Sequence, residues 1–149
     1  MSYSGSTLQT YLDREITDSR WEERIKILYG ISSSLDRIHK SELIHGNLHG
    51  GNVLISNKIN VSVMGFGLLS NLETDPNDPD ALYGILPYMA PEILNGEARS
   101  EKSDVYSFGV IMTEMTTGKP PFYDRPHEEN LAIEICEGLR PEITEMLLQ

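Results

Sequence analysis

One short segment of the chain, residues 44–55, gathers polar side chains that could take part in catalysis or cation binding. It contains His45 and two amides, Asn47 and Asn52, with a pair of glycines between the amides. An amide oxygen can ligate a divalent cation, but an amide has neither the charge nor the proton affinity of a carboxylate. The segment therefore has the polarity of a catalytic loop but no carboxylate that could act as a general base.

Three further motifs follow this loop along the chain. They are Gly65-Phe66-Gly67, Ala90-Pro91-Glu92 and an apolar stretch that begins at Asp104. In order and spacing, the four signals resemble the catalytic loop H-R-D-L-x-x-x-N, the D-F-G motif, the A-P-E motif and the buried helix of the large lobe of protein kinases. The resemblance covers almost the whole chain and implies a mostly α fold with small β hairpins.

The resemblance also implies roles for individual residues. His45 is expected to pack under Phe66 and to be anchored to the buried helix by Asp104. Asn52 would be a metal ligand, and Leu54 would support the adenine ring of a nucleotide. His49 replaces the lysine common in serine/threonine kinases, as in some tyrosine-kinase-like members, which indicates a tyrosine-kinase-like character.

Two positions depart from the family pattern. Asn47 stands where kinases have the catalytic aspartate, and Gly65 stands where they have the aspartate that holds Mg²⁺. A positioned general base contributes about 10²–10⁴ in rate, and a glycine offers no side chain to a hard cation. Only Asn52 remains of the metal-binding pair, so we expect no cofactor, and ATP and Mg²⁺ are implied by the resemblance alone.

The ends of the chain depart from the family pattern as well. The chain has no Gly-rich phosphate loop, and Ser2 and Tyr3 resemble the hinge between the kinase lobes. We therefore expect residues 1–149 to be a partial kinase-like domain, running from the hinge to about the seventh large-lobe helix and truncated at both ends. The arginine that usually pairs with Glu92 is then missing, which leaves water, Arg99 or Arg140 as its partners.

Hydrophobic periodicity predicts the helices that must position these motifs. Leu8, Tyr11 and Leu12 predict a short helix. A capping box at Ser19 predicts the start of a helix of about five turns, whose apolar face is Trp21, Ile25, Leu28, Ile31, Leu35 and Ile38. Ser103 is the expected cap of a helix over 104–117, which is apolar on nearly every side and ends at Gly118. A last helix is expected at about 128–137.

Other segments are predicted to be strands or loops. Residues 1–6 are typical of a loop, and residues 43–44, 52–55 and 61–63 are β-prone runs that suggest small hairpins too short to build a sheet of their own. Residues 71–80 are acidic and contain two prolines, which favours an exposed loop rather than a calcium site.

The composition limits the function. Hydrophobic residues make up 39% and charged residues 23%, as in folded globular chains. The net charge of -11 gives nucleic acid or an anionic membrane little attraction, so neither is an expected partner. The single Cys136 cannot form an internal disulfide, and the sequence has no signal peptide or long apolar span, so a cytoplasmic setting is expected.

These observations predict a catalytically inactive, kinase-like fragment whose residual role is protein interaction or scaffolding. Two alternatives stay open: a protein kinase that transfers phosphate from ATP to Ser, Thr or Tyr once a small lobe completes it, and a truncated gene product without function. Because the missing parts of a kinase domain would leave apolar surface exposed, a protein partner or self-association is also expected.

Overall fold

The protein is described by a computed structural model over residues 5–14, 17–57, 60–64 and 85–143. The strands are β1 (Gly5–Thr7), β2 (Val53–Ser56) and β3 (Asn60–Val63), and the helices are α1 (Leu8–Arg14), α2 (Trp21–Lys40), α3 (Pro91–Leu94), α4 (Glu101–Thr117) and α5 (Glu129–Cys136). Short 3₁₀ helices lie at Gly50–Asn52 and Leu86–Tyr88. The described residues are mostly helical, as the sequence predicts, and they also form one small sheet. No helix among them is both long and apolar enough to cross a membrane.

Helix α2 begins one residue after Arg20, without a side-chain cap, so the predicted capping box at Ser19 is wrong. The Ser19 hydroxyl instead accepts a hydrogen bond from Nε of Arg24 at 2.9 Å.

The buried face of α2 agrees with the predicted one at Ile31 and Leu35 and differs from it at the start of the helix. Ile27, Ile31 and Leu35 are its buried residues, whereas Trp21 and Ile25 are 41% and 59% exposed. Apolar residues occur on more than one side of this helix, so the spacing alone allows two stripes. Packing against α4 and the sheet selects the stripe at 27, 31 and 35.

Helix α4 begins with a capping box in which Ser100, not Ser103, is the N-cap. The Ser100 hydroxyl accepts from the Ser103 amide, and the Ser103 hydroxyl oxygen accepts from the Ser100 amide. Gly118 ends the helix in the left-handed conformation with φ 71°, as predicted. The helix is buried on only part of its apolar surface, because Val105 and Met112 are 57% and 44% exposed.

The strands form one antiparallel sheet in the order β1-β2-β3. Gly5–Thr7, part of a predicted loop, pairs with residues 54–56 of β2, so the short runs do build a sheet. Leu43 and Ile44 form no strand and are exposed. The alternation of β2 places Val53 and Ile55 in the core, where they pack with residues of α1, α2 and α4.

Gly30 of α2 allows the helix to lie close to β3. A Cβ at this position would lie 2.8 Å from the Cβ of Val61, which cannot rotate away. Gly109 in α4 is a matched helical glycine with nothing within 4 Å of such a Cβ.

Alanine at these two glycines is expected to have opposite effects on stability. Gly109→Ala should raise the free energy of unfolding by about 0.5–1 kcal/mol, the difference in helix propensity. Gly30→Ala should lower it by about 1–2 kcal/mol, because overpacking against Val61 outweighs that gain. Urea unfolding of both variants measures the difference, and an equal gain in both would contradict the close packing of α2 on β3.

Candidate functional site

Asp104 in the first turn of α4 connects the buried helix to the loop that follows α2. Its side chain is almost fully buried, at 1% exposure. Oδ2 accepts hydrogen bonds from the His45 amide and from Nε2 of His39, both at 2.8 Å, and Oδ1 accepts from the Gly46 amide at 2.9 Å. A single carboxylate thus fixes the backbone of residues 45–46 against α4.

The ring of His45 holds the next part of the loop. Its Nδ1 accepts a hydrogen bond from the Asn47 amide at 3.1 Å, so the ring proton lies on Nε2, which donates to the carbonyl of Met64 at 2.7 Å. These contacts are those of a neutral imidazole with both nitrogens engaged. His45 therefore positions the loop between α2 and the end of β3.

Asn47 and Asn52 are held close together. Nδ2 of Asn52 donates to the backbone carbonyl of Asn47 at 2.6 Å, which closes the loop and leaves the side-chain oxygen of Asn52 as its acceptor atom. Asn47 lines a cavity of about 20 Å³ beside Tyr88 and Ser107, with room for about one water molecule.

Gly46 occupies the position of the arginine in H-R-D. Its φ of +80° favours glycine, and a Cβ here would lie 2.9 Å from Cδ of Arg99. Nε of Arg99 donates to the Gly46 carbonyl at 2.7 Å. The side chain of Arg99 therefore covers this position, and a larger residue at 46 would have to displace it.

Glu92 in α3 is half-buried and forms no ion pair with any residue in the described ranges. Arg99 bonds to Gly46, while Arg140 donates to the carbonyls of Ile135 and Leu139 at 2.9 and 2.8 Å. Neither arginine serves as the substitute partner considered from the sequence.

Glu92→Gln should therefore change the free energy of unfolding by less than about 1 kcal/mol, as ordinary surface substitutions do. Urea unfolding of this variant and the wild type measures the difference. A much larger loss would reveal a charge partner for Glu92.

A buried pair joins the A-P-E region to α4. The Tyr88 hydroxyl donates to Oε1 of Glu114, which is 0% exposed, and the Ser107 hydroxyl donates to the Tyr88 carbonyl at 2.7 Å. Burial raises the pKa of Glu114 from 4.5 to about 7, although the hydrogen bond from Tyr88 opposes the shift. Burial and the neighbouring carboxylate raise the pKa of Tyr88 as well. The pair is thus most stable with Glu114 protonated.

His49 caps the 3₁₀ helix of the loop, since its Nδ1 accepts from the Gly51 amide at 3.1 Å. Burial and the nearby His45 lower its pKa. In this structure His49 therefore has a local structural role.

The remaining predicted site residues are separated from this network or lie outside the described residues. Leu54 is half-buried on the face of β2 opposite to the core residues. Ser2, Tyr3, Gly65 and Phe66 lie outside the described residues. Within the described part of the chain, no group of three or more His, Cys, Asp or Glu side chains is placed to hold a metal ion.

Sequence reasoning missed two features of the site. His39 shares Asp104 with the loop, and its position in the last turn of α2, shortly before His45, is the only signal for it. The Tyr88–Glu114 pair had a clearer signal, because a glutamate within the apolar run of α4 needs a buried partner.

Comparisons with known proteins agree with this geometry. The protein kinase domain family matches residues 1–146. A probable receptor-like protein kinase of Arabidopsis thaliana is 39% identical over 114 residues, which are 73% of this chain and 24% of that protein. An L-type lectin-domain containing receptor kinase of the same plant is 32% identical over 144 residues, 90% of this chain and 19% of that protein.

A probable inactive receptor kinase of Arabidopsis thaliana is 35% identical over 113 residues, which are 74% of this chain and 17% of that protein. The chain thus spans a quarter or less of the length of these relatives. The family match covers nearly the whole chain. It includes the loop at residues 44–55, the A-P-E motif and helix α4, which Asp104 connects to that loop. On these grounds the chain belongs to the protein kinase family.

Proposed function

We propose that this chain is a catalytically inactive member of the protein kinase family and that its role is to bind another protein. The proposal is supported by the position of Asn47, which lies in a loop whose backbone is held by Asp104 and His45. The hydrogen bonds from Asp104 and His45 hold this loop in place, but the side chain at the position of the kinase catalytic base is an amide. An amide cannot accept the proton of a substrate hydroxyl, and a positioned base contributes about 10²–10⁴ in rate.

The residues at the nucleotide position do not fit Mg-ATP. Asn52 offers one neutral oxygen, and Gly65 offers no side chain where kinases have a second, anionic ligand. Leu54, with Ser2 and Tyr3 by resemblance, is the remaining candidate contact for an adenine ring. We therefore propose that no ATP or Mg²⁺ cofactor is required.

The relative named as a probable inactive receptor kinase is consistent with this proposal. We also propose that the chain is tyrosine-kinase-like, as His49 indicates, and that residues 1–149 are a partial kinase domain.

An alternative proposal is phosphoryl transfer from ATP to Ser, Thr or Tyr. Two observations favour it. His45 and Asn52 of the kinase catalytic-loop motif are present and hydrogen-bonded, and other relatives are named as kinases. It requires that Asn47 and Gly65 be tolerated in catalysis.

Thermal unfolding with saturating Mg-ATP tests whether this chain binds the nucleotide by itself, without the small lobe that the alternative requires. A ligand present at 100 times its Kd stabilises a protein by about 2.7 kcal/mol, which shifts the Tm of a chain of this size by several degrees. We expect a shift of less than about 1 °C, matched by magnesium alone and by Asn52→Ala. A magnesium-dependent shift of several degrees that Asn52→Ala removes would support the alternative.

A further inference from the structure

A groove lies between α2 and the edge of the sheet, on a different surface from Asn47. Its volume is about 570 Å³, and its lining includes Ile25, Lys26, Tyr29, Arg37 and Val61. Gly30 lets the helix approach β3 at the base of the groove. The lining residues of the groove belong to α2 and to the start of β3.

An exposed apolar stripe of α2 runs into the groove: Ile25 and Tyr29 line it, and Trp21 precedes them on the helix outside the lining. Trp21, Ile25 and Tyr29 follow one another at intervals of four residues, which places them along one side of α2. They are 41%, 59% and 72% exposed. A stripe of three large apolar side chains left in water is typical of an interaction surface.

The charge of the groove is opposite to that of the chain. Lys26 and Arg37 are exposed and line the groove, and its lining includes no carboxylate from the residues that the structure describes. Neither cation forms an ion pair with a carboxylate in the described ranges, whereas the nearby Asp36 is already paired with Lys40 at 2.7 Å. A chain with a net charge of -11 therefore has a local cationic groove.

The dimensions suit an extended peptide. Lys26 and Arg37 are separated by about 16 Å along the helix axis, the length of about five residues of extended chain. Strand β3 is an edge strand of the described sheet, and the backbone carbonyl of Asn52 accepts a hydrogen bond from the Met64 amide at 2.7 Å. The alternation of an antiparallel pair then directs the N–H and C=O of Val61 away from β2, toward the open edge.

We propose that this groove binds an extended acidic segment of another protein, with carboxylates near both ends of the bound stretch and an apolar residue between them. The carboxylates would pair with Lys26 and Arg37, and the apolar residue would pack on Ile25 and Tyr29. The inference rests on the interaction role proposed above and names its partner class. It can fail alone, because loss of peptide binding leaves the response to Mg-ATP unchanged.

Fluorescence anisotropy with a labelled peptide of sequence Asp-Glu-Leu-Ser-Leu-Glu-Asp tests the proposal. We expect saturable binding that weakens with salt, and binding weaker by about five-fold or more in Lys26→Glu/Arg37→Glu, since both exposed ion pairs are then replaced by repulsion. Tyr29→Ser should weaken binding by a similar factor. Circular dichroism of each variant checks that it is folded, as expected for exposed positions.

Matched controls identify the site. Lys102→Glu reverses an exposed charge on α4, and Tyr123→Ser truncates a tyrosine that is 52% exposed elsewhere; neither should alter binding. Equal binding of a peptide with Ser in place of Leu, or equal loss in Lys102→Glu, would overturn the proposal in favour of nonspecific charge attraction. Absence of binding, or a dimer that Tyr29→Ser dissociates, would also overturn it, the latter because a second copy would then occupy the groove.

Discussion

Asp104→Ala is expected to lower the free energy of unfolding by about 3–5 kcal/mol. The substitution leaves the amides of His45 and Gly46 and the ring of His39 without their shared acceptor at a buried position. Each buried donor left unpaired costs about 1–3 kcal/mol, so the losses add to a large effect. Urea unfolding measures the change.

Asp36→Ala is the matched control, because Asp36 pairs with Lys40 at 2.7 Å while both side chains are exposed. Its expected loss is below about 1 kcal/mol. Asp104→Asn retains one acceptor oxygen and should fall between the two, so the comparison holds even where Asp104→Ala does not fold. Similar losses in Asp104→Asn and Asp36→Ala would mean that Asp104 does not fix the loop.

Glu114→Gln is expected to remove a pH dependence of stability of about 2–3 kcal/mol between pH 5 and pH 8. The pKa of Glu114 is raised in the folded state to about 7 from 4.5, so the fold favours the protonated side chain. The stabilisation is fully present below pH 4.5 and is lost as the pH rises through 7. Glutamine stays neutral over this range and can still accept from Tyr88.

Urea unfolding of the wild type and Glu114→Gln at both pH values measures this effect. Glu137→Gln, an exposed glutamate after α5, is the matched control and should follow the wild type. Parallel pH curves for the wild type and Glu114→Gln would show that the buried carboxylate does not titrate in this window.

Most of what could be predicted about the site came from the order and spacing of the kinase-like motifs. This spacing related His45 to Asp104 although they are far apart in the chain, because the family motifs have a fixed order. It could not place Arg99 on Gly46, since that contact depends on the path of the chain between α3 and α4.

The errors about the elements have physical causes. The strand Gly5–Thr7 is poor in β-formers and exists because β2 offers it backbone hydrogen bonds, which local propensity does not contain. The buried stripe of α2 was predicted correctly at Ile31 and Leu35 but not in the first turns, because Trp21 and Ile25 fit the helical period as well as Ile27 does. The start of α4 was misplaced by three residues because two serines form the capping box together.

We propose that the loop held by Asp104 and His45 has the arrangement of a kinase catalytic loop without its chemistry, and a phosphate-transfer assay tests this claim most directly. The chain is incubated with radiolabelled Mg-ATP and a general protein substrate such as casein, beside Asn52→Ala. We predict no transfer above the level of Asn52→Ala. Magnesium-dependent transfer by the wild-type chain that Asn52→Ala abolishes would contradict the claim.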